Sequence, residues 1–240
     1  MADDKTHIVS SFDEELTRLN NIISQMGGLA ESQLISSIRA IVKRDSELAE
    51  KVIVSDKRID VLEQEVQDFS VRLLALRQPM ADDLRQVVTA LKLSNDLERI
   101  GDLAKNIAKR AQVLNQIPPI RPVQAIPNMG KLAQEIIKDV LDAYIEGDAD
   151  KARRVWERDQ EVDDMYNSLF RELLTYMMED PRNITASTHM LFIAKNIERI
   201  GDHATNIAET IYYRIKGEDL PALDRPKNDA ANFAVVEPNE

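Results

Sequence analysis

Apolar side chains recur at three- and four-residue steps along most of the chain, the spacing that puts one stripe on an α-helix. Phe12, Leu16, Leu19, Ile22, Ile23, Met26, Leu29, Leu34, Ile38, Ile41 and Val42 predict a long first helix that passes through Gly27 and Gly28 and stops near Arg44. Asp45 is a good N-cap for a second helix from Ser46 to Arg77, with Leu48, Val52, Ile59, Leu62, Val66, Phe69 and Leu73 inward, and Pro79 breaks it. A third helix starts at Asp82 or Asp83 and reaches Asn115. Pro118, Pro119, Pro122 and Pro127 then interrupt the period and predict an extended linker over 117–127. The order of elements begins again with a fourth helix over Asn128 to Glu146 and a fifth, capped by Asp148, running to Met178. Pro181 breaks the fifth helix, and a sixth ends at Lys216. Beyond Gly217, prolines 221, 226 and 238 stand among polar residues, and 217–240 reads as a flexible tail.

The two halves share residues as well as order. LERIGDLAKNIA, Leu97 to Ala108, returns as IERIGDHATNIA, Ile197 to Ala208. Ala40, Asp45, Val52, Asp56 and Asp60 return as Ala143, Asp148, Val155, Asp159 and Asp163. An internal repeat near one hundred residues predicts an all-α fold of two tandem three-helix bundles, 1–116 and 128–216, each able to bury its own core. Gly101 and Gly201 each cost a helix about 1 kcal/mol relative to alanine. With Ala104, Ala108, Ala204 and Ala208 they form small-residue stripes, which we read as allowing close helix packing.

The repeat also carries acids four residues apart: Glu98 with Asp102, Glu198 with Asp202, Asp56 with Asp60 and Asp159 with Asp163. If the second and third helices run antiparallel about Pro79, Asp56 lies level with Asp102 and Asp60 with Glu98. In the second half Asp159 lies level with Asp202 and Asp163 with Glu198, about the break at Asp180 and Pro181. Four acids are therefore expected to line a surface groove in each bundle. Converging carboxylates need a counterion to stay ionised together, and all-oxygen ligation suits a divalent or trivalent metal such as Mg, Mn, Ca, Fe or Zn. The alternative is that Arg58, Arg99 and Arg199 neutralise the acids on a solvated helix face. The two groups differ at their edges: Lys105 and Lys109 stand where the second half has Thr205 and Glu209. The second site is therefore expected to bind more tightly, with Glu63 partly offsetting the difference.

Composition narrows the function. The charged share is 30%, the hydrophobic share 43%, and no apolar run is long enough for a membrane span, so membrane insertion is not expected. The absence of cysteine and an acidic N-terminus without signal-peptide character lead us to expect a reducing cytoplasm. A net charge of −11 opposes binding to nucleic acid. There is no E-x-x-H or H-E-x-x-H motif, no glycine-rich phosphate loop and no dinucleotide fingerprint. His7, His189 and His203 are scattered, and His203 is expected to be an exposed surface residue rather than a ligand. Trp156 and the tyrosines read as packing residues. No catalytic residues are expected.

The sequences Asp56-Lys57-Arg58-Ile59-Asp60, Glu98-Arg99-Ile100-Gly101-Asp102, Asp159-Gln160-Glu161-Val162-Asp163 and Glu198-Arg199-Ile200-Gly201-Asp202, with LLTYMMEDPRNI at Leu173 to Ile184, resemble the PhoU family of phosphate-transport accessory regulators. The resemblance spans all but about the last two dozen residues. It implies a cytoplasmic, commonly dimeric, non-enzymatic protein with metal clusters on its bundles. It also implies repression of the phosphate-starvation response, by coupling the ATPase of the phosphate ABC transporter to a sensor histidine kinase. A metal-dependent phosphohydrolase or a metal-storage protein is the alternative.

Overall fold

The computed structural model describes residues 2–220; residues 221–240, most of the expected tail, lie outside the described residues. The helices are α1 (Ala2–Val42), α2 (Ser46–Ser55), α3 (Lys57–Arg77), α4 (Ala81–Leu114), α5 (Ala125–Glu146), α6 (Ala149–Glu157), α7 (Asp159–Glu179) and α8 (Ile184–Lys216). No strand occurs among the described residues.

Both expected caps form: Asp45 accepts from the Leu48 amide and Asp148 from the Lys151 amide, each at 2.9 Å. Each satisfies an N–H that the first helical turn leaves without a partner. The helix before each cap ends in a left-handed residue, Gly147 at φ 67° in the second half and Arg44 at φ 54° in the first. An arginine there is strained, and it is held by its guanidinium, which donates to the Asn115 and Ile117 carbonyls at 2.8 and 2.7 Å.

Two elements differ from the periodicity. The linker contains a 3-10 turn at Arg121–Gln124, and α5 starts at Ala125 because Pro127 fits within a first helical turn, where its missing N–H costs nothing. The second helix of each half is interrupted at its acids, at Asp56 in one and at Arg158, beside Asp159, in the other. At Asp56 the carbonyl accepts from the Ile59 amide at 2.8 Å and only at 3.4 Å from Asp60, a tightening to 3-10 geometry that apolar periodicity does not register.

The long helices α1, α4, α5 and α8 form the centre: α4 packs against α1 and α8, and α5 against α1 and α8. On the outside lie α2 and α3, against α1 and α4, and α6 and α7, against α8 and α5. A single apolar core runs through both halves rather than one in each, with Leu19, Ile23, Leu97 and Ile100 continuous with Ile136, Ile193, Ile197 and Ile200. The junction is close-packed in a repeated way. Gly27 of α1 abuts Leu141 of α5, and Gly130 of α5 abuts Ile38 of α1, so each half offers a glycine to the other's aliphatic side chain.

Candidate functional site

The motif helices α4 and α8 pack against α3 and α7, and of the level pairs Asp56 and Asp102 meet through Lys105. Glycine makes this approach possible. A Cβ on Gly101 would lie 2.8 Å from Ile59 Cδ1 and 3.4 Å from Asp56 Oδ1, and one on Gly201 would lie 3.4 Å from Asp159 Oδ1. The small-residue stripe is thus a packing device, and it seats carboxylates under the neighbouring helix.

That depth changes the expected surface groove. Asp56, Asp159, Asp163 and Glu198 are buried, at 3, 4, 6 and 3% exposure. Glu98, Asp102 and Asp202 are half-buried, and Asp60 is exposed.

In the first half the acids have a protein cation among them. Lys105, one turn beyond Asp102 on α4, donates from Nζ to both Asp102 Oδ1 and Asp56 Oδ2, bridging α4 to the α2–α3 break. Arg99 adds contacts of 3.4 Å to Glu98 and 3.6 Å to Asp102. Burial pushes the Asp56 carboxyl up, against the opposing pull of Lys105. Glu98 is pushed up to about 7, first by burial and then by the adjacent Asp102 charge. Burial acts on Asp102 in the same upward sense, but the Lys105 hydrogen bond, with Glu98 and Arg99, holds it below its ordinary value. Burial likewise opposes ionisation of Lys105, yet its two carboxylate bonds raise its pKa.

The second half is wired differently. At the position of Lys105 stands Thr205, buried, its hydroxyl donating to the Gly201 carbonyl at 3.0 Å. The cation is Lys195 instead, on the turn before the motif, with Nζ 2.6 Å from Glu198 Oε1. Its side chain is 46% exposed, against 23% for Lys105, and it also lies 5.3 Å from the Tyr166 ring. Burial pushes the Glu198 carboxyl up, the Lys195 bond opposes this, and the Asp202 and Asp159 charges add to the rise. Lysine at i−3 from Glu198 was visible in the sequence, but nothing in the repeat marked it, since Asn95 holds that place in the first half.

Among the described residues, no three aspartates, glutamates or histidines form a ready ligand set for a metal ion. In the first half Lys105 fills the position between Asp56 and Asp102 that a metal bridging them would take, so those acids do not fit a metal as they stand. The expected fifth acid of the second half is engaged elsewhere: Glu209 accepts from Trp156 Nε1 at 2.9 Å. Lys109, Arg58 and Arg199 are exposed. His203 is not a surface histidine. It is part-buried between α8 and α4, with Nδ1 2.9 Å from Asp96 Oδ1. Further along the same antiparallel pair, Arg110 stacks on the Phe192 ring at 4.0 Å beside His189.

A cavity between the linker and the α7–α8 turn is bordered by Pro118, Ile120, Arg182 and Asn183, and Arg182 is tied back to Asp180 by a two-point contact. No helix is long and apolar enough to cross a membrane among the described residues.

The arrangement has counterparts among known proteins. A family model described as the PhoU domain matches residues 23–111 and 126–211, once in each half. The chain is 55% identical over 224 residues to a Caulobacter vibrioides protein named phosphate-specific transport system accessory protein PhoU homolog, covering 93% of this chain and 97% of that one. A Rhizobium meliloti protein of the same name is 52% identical, with 93% and 94% covered. The crystal structure of PhoU from Pseudomonas aeruginosa superposes with a TM-score of 0.84 at 39% identity, covering 86% of this chain and all of that one. The regulatory protein PhoU from Streptococcus pneumoniae gives 0.79 at 31% identity, covering 87% and 99%.

Proposed function

The chain belongs to the PhoU family, and on that premise we propose that it is the accessory regulator of a phosphate-specific transport system. The observation that carries the reading is its 55% identity, over nearly the full length of both chains, to a relative named as a phosphate-specific transport system accessory protein. On this reading it acts in the cytoplasm, as a dimer and without catalysing a reaction. It docks on the ATPase of the phosphate ABC transporter and on a sensor histidine kinase, and it keeps the phosphate-starvation response off when phosphate is plentiful. A helical body with a net charge of −11 and no recognisable catalytic motif suits an adaptor, which needs rigid docking surfaces rather than an open reactive centre.

Metal binding is the second part of the reading, and we confine it to Asp159, Asp163, Glu198 and Asp202. Three of these are buried on the facing helices α7 and α8, where a hard cation would offset the burial, and then the neighbouring acid charges, that raise the Glu198 pKa. The side chains would have to turn to ligate it.

Deleting the gene should switch on phosphate-scavenging genes in phosphate-rich medium, read by reporter expression. A deletion strain in which those genes stay silent would refute the regulatory reading. Hydrolysis of a phosphomonoester by metal-loaded protein, lost in a Glu198→Ala, Asp202→Ala variant, would favour the phosphohydrolase instead.

A further inference from the structure

The repeat places one lysine near each acid group but on opposite sides of the motif. Asn95 and Lys105 in the first half are exchanged for Lys195 and Thr205 in the second. The consequences differ in kind. Lys195 is half exposed and reaches Glu198 on its own helix, so it can swing into water once another cation takes over that buried carboxylate. Lys105 joins two helices, and one of its partners, Asp56, is a carboxylate with a side chain only 5% exposed. Removing one member of a buried pair strands the other charge, so Lys105 is held where it is.

We infer that Lys105 is the built-in counterion of the first half and excludes metal from it, so that two sites related by sequence are one ion-binding site and one lysine-locked structural copy. The acids that define the repeat are retained in both halves, but in the first an ammonium does the work that a metal would do. Such a lysine makes the first half independent of metal supply. Any response of the protein to metal is then carried by the second half alone. The ion-binding half of the inference rests on the metal reading proposed above; the exclusion stands on the Lys105 geometry.

The test uses metal-stripped full-length protein, equilibrated with MnCl2 and assayed by elemental analysis and by thermal unfolding. Adding Glu98→Ala and Asp102→Ala to the wild type should leave bound manganese unchanged. Lys105→Thr, which installs the residue of the second half, should bind one more manganese per chain than wild type. Its melting temperature should fall by several degrees without metal and recover with it, and the gain should vanish when Asp102→Ala is added. Should Lys105→Thr fail to fold, Lys105→Gln, which keeps a donor for Asp56, carries the same expectation for manganese content. Loss of manganese from the wild-type background on removing Glu98 and Asp102, or no gain in either Lys105 variant, would overturn the inference. If wild type bound no manganese and Glu198→Ala, Asp202→Ala changed nothing, the second-half metal reading would fail. A gain in Lys105→Thr would still support the lock.

Discussion

Gly27 of α1 lies flush against Leu141 of α5, so close that a Cβ would stand 2.3 Å from Leu141 Cδ2 and 3.1 Å from Cγ. Its neighbour Gly28 faces open space. Two adjacent glycines in one helix therefore make opposite predictions. Alanine in an exposed helix interior gains up to about 1 kcal/mol, whereas forcing a methyl into a packed junction costs about 1–3 kcal/mol. Gly28→Ala should raise the urea midpoint, and Gly27→Ala should lower it, with a net loss of about 1 kcal/mol. Stabilisation by both would mean that Leu141 yields freely and the α1–α5 junction is loosely packed.

The raised Glu98 pKa makes stability depend on pH. The folded state holds the Glu98 proton up to about 7, above the usual 4.5, so this residue's contribution is present below 4.5 and is lost as pH rises through 7. Glu98→Gln removes the loss. The variant should gain on wild type by about 1 kcal/mol between pH 5 and pH 8, less than the full shift would give because Arg99 and solvent reach the pair. Denaturant titrations at the two pH values measure this. An equal difference at both would show that Glu98 titrates normally. Asp102, shifted in the opposite sense, loses its contribution only at lower pH, below its ordinary 3.8, outside this window.

The Asp96–His203 contact ties α4 of one half to α8 of the other at 2.9 Å, with both side chains largely buried. Hydrogen bonds between partly buried polar side chains contribute about 1 kcal/mol, and coupling in a double-mutant cycle isolates that share. Asp96→Ala and His203→Ala should each destabilise, and together they should cost about 1 kcal/mol less than their sum. Strict additivity would reduce the contact to coincidental proximity.

Helix positions, both N-caps and the duplicated layout were legible in the chain because they depend on local periodicity and on single-residue chemistry. The spacing of Leu16, Leu19, Ile23 and Met26 is a property of one helix, and Asp45 or Asp148 caps whatever follows it. The repeat also placed Asp56 level with Asp102, since an antiparallel hairpin fixes its own register about its turn, and those two do converge on Lys105.

Depth and occupancy were decided by tertiary structure. Whether an acid on a helix flank faces water or a neighbouring helix depends on how closely that neighbour approaches. Gly101 and Gly201 set that distance by letting α4 and α8 come close to the helix that precedes each. Glu209 looked like a fifth acid by helical angle, yet Trp156 from another helix claims it. His203 looked exposed until α4 placed Asp96 against it. Lys105 could be read from sequence as a competitor for the acids, but only the juxtaposition of α4 with the Asp56 break makes it a bridge. A lysine's long stem reaches many places, and the packing of the surrounding helices selects one.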